Sequence, residues 1–275
     1  MIFDIRTPDN AYEFVLSFLG ISGEEFVMQY RVDCQSDISE FIELYYEEIK
    51  EKDISGLKIM AFHVLGSLND CEEIRKHGLI NLQETLSQDT ILRRLLHKAN
   101  LQFDIEKRKL IHGTKEYDID YDKYRNEYFL GPEEKKLRNI GHRVYYDYCV
   151  NGFLLNDDVE NYGTDIHKRP EFFNRLTDMF PEAKKVEQFW KSKAVSYRVD
   201  FYATIEQIHT FNYGVEYDKI SEYDLQFLDI DMEIKKWMLS LACSRAFDEC
   251  DMMCLYIKDE VSIPPSQIVS ISKFK

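Results

Sequence analysis

The apolar run "LKIMAFHVLG", held between Gly56 and Ser67, constrains the fold more than any other stretch of the chain. Successive side chains of a strand point to opposite faces, so near-continuous apolar character requires cover on both faces. A chain built around such a strand needs packed layers on either side of it. With 275 residues, 44% of them hydrophobic and 14% aromatic, the material for those layers is present.

The rest of the sequence supplies helices and shorter strands. "AYEFVLSFLG" ends at Gly20, "GEEFVMQYRV" follows, and "DISEFIELYYEEIKEK" carries Ile38, Phe41, Ile42, Leu44 and Tyr45 at helical spacing. After the apolar strand, Ser67 with Asp70 reads as a capping-box-like start for a helix that turns Cys71 and Ile74 inward and stops at Gly78. Asn81 with Glu84 starts the next helix, and Ser87 starts a third that carries Ile91, Leu92, Leu95 and Leu96. "LQFDIEKRKLIHGTKEYDIDY" changes to short runs broken by charged turns and Gly113, the pattern of a hairpin or meander.

Glu133 to Val150 reads as an amphipathic helix with Gly152 near its C-cap, and Pro170 stands at a first helical position before "EFFNRLTDMF". "SYRVDFYA" alternates cleanly, with Tyr197, Val199, Phe201 and Ala203 on one face. A helix from about Met232 to Glu249 precedes the strands "MMCLYIK" and "SQIVSISKF". The expected class is α+β: a mixed or antiparallel central sheet of short strands with surrounding helices. Residues 1–55 read as a helical N-terminal extension and residues 56–275 as the core, packed as one unit.

Charge and cysteine usage narrow the function classes. A net charge of −15 argues against general affinity for nucleic acid or anionic membranes. The exception is the run of Arg93, Arg94, Lys98, Lys107, Arg108, Lys109 and Lys115, which only Asp104 and Glu106 interrupt. That run is either a contact for a polyanion or the solvated face of a helix and hairpin. "MIFDIRTPDN" lacks the apolar core of a signal peptide, and no segment has the ~20 apolar residues needed to span a bilayer. The six cysteines are scattered and flanked by apolar residues, which suits a reduced, cytoplasmic protein. No zinc spacing, HExxH, GxGxxG, GxxxxGK[ST] or GxSxG is present. The expectation is therefore no metal, no membrane and none of the nucleotide folds those motifs announce.

What remains is "FHV", a loop with Ser67, a short helix and "HGL". Phe62, His63, Val64, Leu65, Ile74, Gly78 and Leu79 resemble the first core segment of the ADP-ribosyltransferase superfamily, in the branch that includes poly-ADP-ribose polymerases and DNA-modifying bacterial toxins. The likeness covers about 20 residues, and Leu65 stands where the family often has Thr or Ser. The resemblance implies NAD as substrate, with His63 holding a ribose hydroxyl, Ser67 supplying the displaced hydroxyl and Tyr202 stacking on the nicotinamide. It also implies a late carboxylate that stabilises the oxocarbenium-like transition state. Counting back from the exit "IPPSQIVSI" lands on Met253 to Tyr256, none acidic, so the nearest acids are ranked Glu260, then Glu249 and Asp251. The bland alternative for His63 is a satisfied core histidine.

A second constellation is "YGTDIHKRPEF", Tyr162 to Phe172, where Arg169 at a helix start suits a phosphate or carboxylate. Its bland alternative is a pair of helix-end charges, Arg169 and Glu171, beside a solvated His167. The implied function is a bacterial or phage NAD-dependent mono-ADP-ribosyltransferase, toxin or defence-like. Its acceptor is a protein, or a nucleic acid met at Arg93, Arg94, Lys98, Lys107, Arg108 and Lys109, and an antitoxin or inhibitor is a further partner. The alternatives are an NAD glycohydrolase and a non-enzymatic acidic immunity protein that neutralises a basic partner. A metal-dependent nuclease ranks last, because the acids lack ligand spacing.

Overall fold

The apolar run folds as expected into a strand, β2 (Lys58–Ser67), in which Ile59 through Phe62 are buried. The computed structural model describes residues 1–163, 165–216, 219 and 227–274. In chain order the elements are β1 (Ile2–Phe3), α1 (Pro8–Leu19), α2 (Gly23–Phe26), α3 (Ile38–Leu44), α4 (Tyr46–Lys50), β2, α5 (Glu72–His77), α6 (Leu82–Ser87) and α7 (Ile91–Lys98). There follow β3 (Leu101–Asp104), β4 (Lys109–His112), β5 (Lys115–Asp118), α8 (Tyr121–Tyr124), α9 (Pro132–Tyr145) and β6 (Asn151–Asn156). The last described elements are α10 (Phe173–Leu176), α11 (Pro181–Lys193), β7 (Val195–Ala203), α12 (Ile230–Ala246), β8 (Met252–Tyr256) and β9 (Ile268–Lys273). The class is α+β.

The chain divides into two compact units, and β2 contributes to both. The first comprises Met1–Phe62, Gly152–Asp158 and Tyr202–Tyr256, so the helices read as an extension share a unit with β6 and β8. Here β1 runs parallel to the start of β2, with Phe3 opposite Ile59, and β6 runs antiparallel to it, with Phe62 opposite Phe153. Helix α1 starts where Thr7 Oγ1 accepts the Asn10 N–H, and it ends on Gly20 in the left-handed conformation. Its buried residues Ala11, Phe14, Val15 and Phe18 recur at the helical period and pack towards α12. The expected third helix is broken at Tyr45, whose hydroxyl bonds Glu25 and Gln29. Phe26, Tyr30, Phe41 and Phe247 form an aromatic cluster in the same unit.

The second unit comprises His63–Asn151, Val159–Phe201 and Ile257–Lys275. Strand β7 buries Tyr197, Val199 and Phe201, as its alternation requires, and pairs antiparallel with β9 from Tyr197↔Lys273 to Phe201↔Ile268. The expected meander is a three-stranded sheet, β3–β4–β5, and Leu101 and Leu110 sink into a core with Leu96, Ile140, Phe173 and Leu176.

Several helix starts differ from the sequence reading. Helix α5 begins at Glu72, because Asp70 and Cys71 adopt left-handed backbone first and Ser67 Oγ accepts the Cys71 N–H at 2.9 Å. Helix α7 is capped by Thr90 and not Ser87, while Asn81 caps α6 as expected. Helix α9 stops at Tyr145, five residues short of Val150, and Pro170 precedes α10 without entering it.

Candidate functional site

His63 lies in the second unit on β2 and is half-buried. Its Nδ1 is 2.7 Å from the Asn151 carbonyl oxygen. A carbonyl can only accept, so Nδ1 carries the proton and the neutral ring offers Nε2 as an acceptor. Burial lowers the pKa of His63, and the bond to Asn151 opposes that shift without reversing it. At neutral pH the ring is therefore an uncharged acceptor. Nε2 is not among the enclosed unpaired polar atoms of the described residues.

The segment that holds His63, Tyr148 to Asn151, also holds the end of the chain's acidic turn. Tyr148 O accepts the Leu82 N–H at 2.9 Å, and Val150 O accepts the Ile257 N–H at 3.3 Å. From Ile257 the chain makes a turn closed by Val261 N–H to Lys258 O at 2.9 Å, which carries Asp259 and Glu260. Asn81 Nδ2 donates to Asp259 O at 3.2 Å, and Ser262 Oγ donates to Glu84 Oε2. Leu79 and Ile263 then exchange two backbone bonds of 2.9 Å.

The field of this turn registers on its neighbours. Burial first, then the charges of Asp259 and Asp147, push the Cys149 thiol up to about 11. Burial followed by Asp259 and Glu260 raises the Tyr148 phenol. Cys149 is thus a protonated donor, bonded to Asn151 Oδ1 at 3.2 Å, and not a nucleophile.

The other expected site residues fall elsewhere. Glu249 is ion-paired with Arg31 in the first unit, and the Asp251 carbonyl there accepts the Asp157 N–H at 3.0 Å. Tyr202 belongs to that unit too, with the Lys58 ammonium 4.6 Å above its ring. The Ser67 hydroxyl is engaged by Asn69 and by the Cys71 N–H. Arg169 is buried: its Nε lies 2.8 Å from Glu187, and its other nitrogens bond Pro170 O and Asn174. This is an internal ion pair ahead of α10, not a helix-start anion site. His167 is buried rather than solvated, and Thr164 of the same stretch lies outside the described residues.

The cationic run is met by acids that lie mostly outside it. Arg94 pairs with Asp89 and Glu73, Lys107 with Asp104, Arg108 with Asp120 and Asp122, Lys109 with Asp118, and Lys115 with Glu133. Sequence reasoning missed Asp259, Tyr148 and Asn151. The one available signal for Asp259 was its place beside Glu260; Asn151 is 88 residues from His63 and gave none.

Among the described residues no group of three or more His, Cys, Asp or Glu side chains is placed to hold a metal ion, and no helix is long and apolar enough to cross a membrane. No family model, curated protein or solved structure matches the chain.

Proposed function

We propose that the protein consumes NAD by ADP-ribosyl transfer, with His63 holding the nicotinamide ribose and the acid supplied by Glu260 or Asp259. The observation that carries this reading is the hydrogen bond from His63 Nδ1 to the Asn151 carbonyl, which makes Nε2 the acceptor of a ring that burial favours in its neutral form. A ribose hydroxyl needs such an acceptor, and an imidazolium there would oppose a cationic transition state. The bond from C1′ to the nicotinamide nitrogen breaks, and its electron pair leaves with nicotinamide. An acceptor lone pair then attacks C1′, and a carboxylate takes the acceptor's proton. The negative turn Lys258–Val261 provides charge of the right sign for the oxocarbenium-like centre.

Incubation with NAD and candidate acceptors, followed by assay of free nicotinamide, tests this. His63→Ala is expected to lower the rate about a hundredfold, as for loss of one preorganised transition-state contact. Glu260→Gln and Asp259→Asn identify the acid by which of them abolishes release. Release of free ADP-ribose instead of a modified acceptor assigns water as the acceptor. NAD left intact by the wild-type chain refutes the reading. It would favour an acidic binding protein, which the charge of −15 and the internally paired cations also suit.

A further inference from the structure

A cleft in the second unit makes no part of the His63 site. Within the second unit, β4, β5 and the first turns of α9 and α11 bound a volume of about 510 Å³. That size is in the range of small-ligand and side-chain pockets, roughly 300–1,000 Å³. Its walls are aromatic and charged: Tyr117, Phe180, His112, Glu133, Glu182 and Lys136. Tyr117 and His112 both meet Phe180 edge-to-face, with centroids 5.4 and 5.3 Å away.

One atom in this wall lacks what its chemistry requires. Glu182 Oε2 is enclosed and has no hydrogen-bond donor among the described residues. His112 Nε2 stands 3.7 Å from it, close enough for attraction but too far for a hydrogen bond. An enclosed carboxylate oxygen is destabilising until a donor reaches it, and a cationic donor serves best. The carboxylates of the lining are Glu133 and Glu182; Glu133 is already paired with Lys115, and Glu182 has no lysine or arginine partner among the described residues. Aromatic faces beside carboxylates favour a flat cation that can stack and donate at once, which a guanidinium does better than an ammonium. The chain already uses this chemistry at the rim, where the Lys115 ammonium lies 4.4 Å from the Tyr117 centroid and 3.3 Å from Glu133.

The geometry points to this cleft as the receptor for an arginine side chain presented by a basic partner protein. The net charge of −15 is complementary to such a partner. The inference does not depend on NAD chemistry. Its test is calorimetric titration of the full chain with acetyl-Gly-Arg-Gly-amide and with the same peptide carrying citrulline, the uncharged isostere of arginine. The arginine peptide should bind at least tenfold more tightly than the citrulline peptide, and 0.5 M salt should weaken it. Glu182→Gln, at a half-exposed position, should weaken it about tenfold while circular dichroism stays unchanged, and Glu133→Gln should act in the same direction. Equal binding of the two peptides, indifference to Glu182→Gln, absence of binding at millimolar peptide, or stabilisation by inorganic phosphate in place of the peptide would each overturn it.

Discussion

Gly78 is the residue on which the acidic turn depends, and Gly78→Ala measures that dependence. Its backbone lies at φ 80° and ψ −160°, a region that glycine alone occupies comfortably. Forcing alanine there costs about 1–3 kcal/mol. A Cβ at this position would stand 1.9 Å from Ile263 O and 2.9 Å from Pro264 C, both backbone atoms that cannot rotate aside. Ile263 must retreat, and the two 2.9 Å bonds it exchanges with Leu79 stretch or break. Each is worth about 0.5–1.5 kcal/mol. Together the terms give a loss of about 2–6 kcal/mol. Gly113→Ala is the control in the same unit, since Gly113 also has positive φ, at 61°, but a Cβ there meets nothing within 4 Å. Backbone strain alone predicts a loss of about 1–2 kcal/mol for it.

Urea unfolding followed by tryptophan emission can read the difference. The chain has two tryptophans, and Trp190 belongs to the second unit while Trp237 belongs to the first. A Trp237→Phe background therefore makes emission report on the unit that contains both glycines. If Gly78→Ala and Gly113→Ala shift the midpoint equally, the contact with Ile263 is not what requires glycine. The account of how the turn is held then fails.

Two further perturbations follow from the buried charges and from the titrating groups. Arg169→Met leaves Glu187, whose side chain is 13% exposed, with only the Lys191 ammonium at 3.6 Å, and should cost less than the about 3–5 kcal/mol of a fully unpaired buried charge at neutral pH; adding Glu187→Leu should recover most of the loss in a double-mutant cycle, and additivity would show that the pair does not interact. On the acid side, burial holds the pKa of His63, His97 and His142 below the ordinary histidine value, so the unfolded chain binds protons first. Their contribution is complete above about pH 6.5 and is lost as pH falls towards their folded-state values. On the alkaline side, burial raises the phenols of Tyr30 and Tyr45 to about 12, so stability should fall once pH exceeds about 10, where unfolded tyrosine ionises. Denaturant midpoints across pH 4.5–11.5 check both limbs, and a midpoint that rises between pH 6.5 and 5 contradicts the histidine argument.

The sequence made the regular elements legible wherever one side chain's fate followed from its near neighbours. The alternation in "SYRVDFYA" predicted the buried face of β7, and "AYEFVLSFLG" read as a helix that stops at Gly20, as α1 does. Caps were legible only in part. Asn81 caps α6 as its spacing to Glu84 suggests, but Ser67 serves the N–H of Cys71 from four residues back, across left-handed Asp70 and Cys71. Tyr45 interrupts what periodicity shows as one helix, with its backbone at φ −110° and ψ 19° and its hydroxyl bonded to Gln29 and Glu25. Hydrophobic periodicity registers neither feature, because left-handed backbone at Asp70 and Cys71 and a backbone break at Tyr45 both leave the apolar spacing unchanged.

The same distinction separates His63 from the cationic run. Position alone made His63 notable, whereas its chemistry is set by a carbonyl 88 residues away, which fixes the tautomer and hence which nitrogen a ligand meets. The cationic run looks strongly positive when counted from Arg93 to Lys115, yet Asp89, Asp118, Asp120, Asp122 and Glu133 lie just beyond those limits and pair with it. Such exposed pairs stabilise the fold by no more than about 1 kcal/mol each. Their larger effect is on recognition, because a phosphate must compete with a carboxylate already at each of these cations. A local excess of charge therefore identifies a binding face only when the fold leaves that charge unpaired. Glu182 meets the corresponding condition for hydrogen bonding, since its enclosed oxygen has no donor among the described residues, whereas Arg94, Lys107, Arg108, Lys109 and Lys115 of the cationic run already have carboxylate partners.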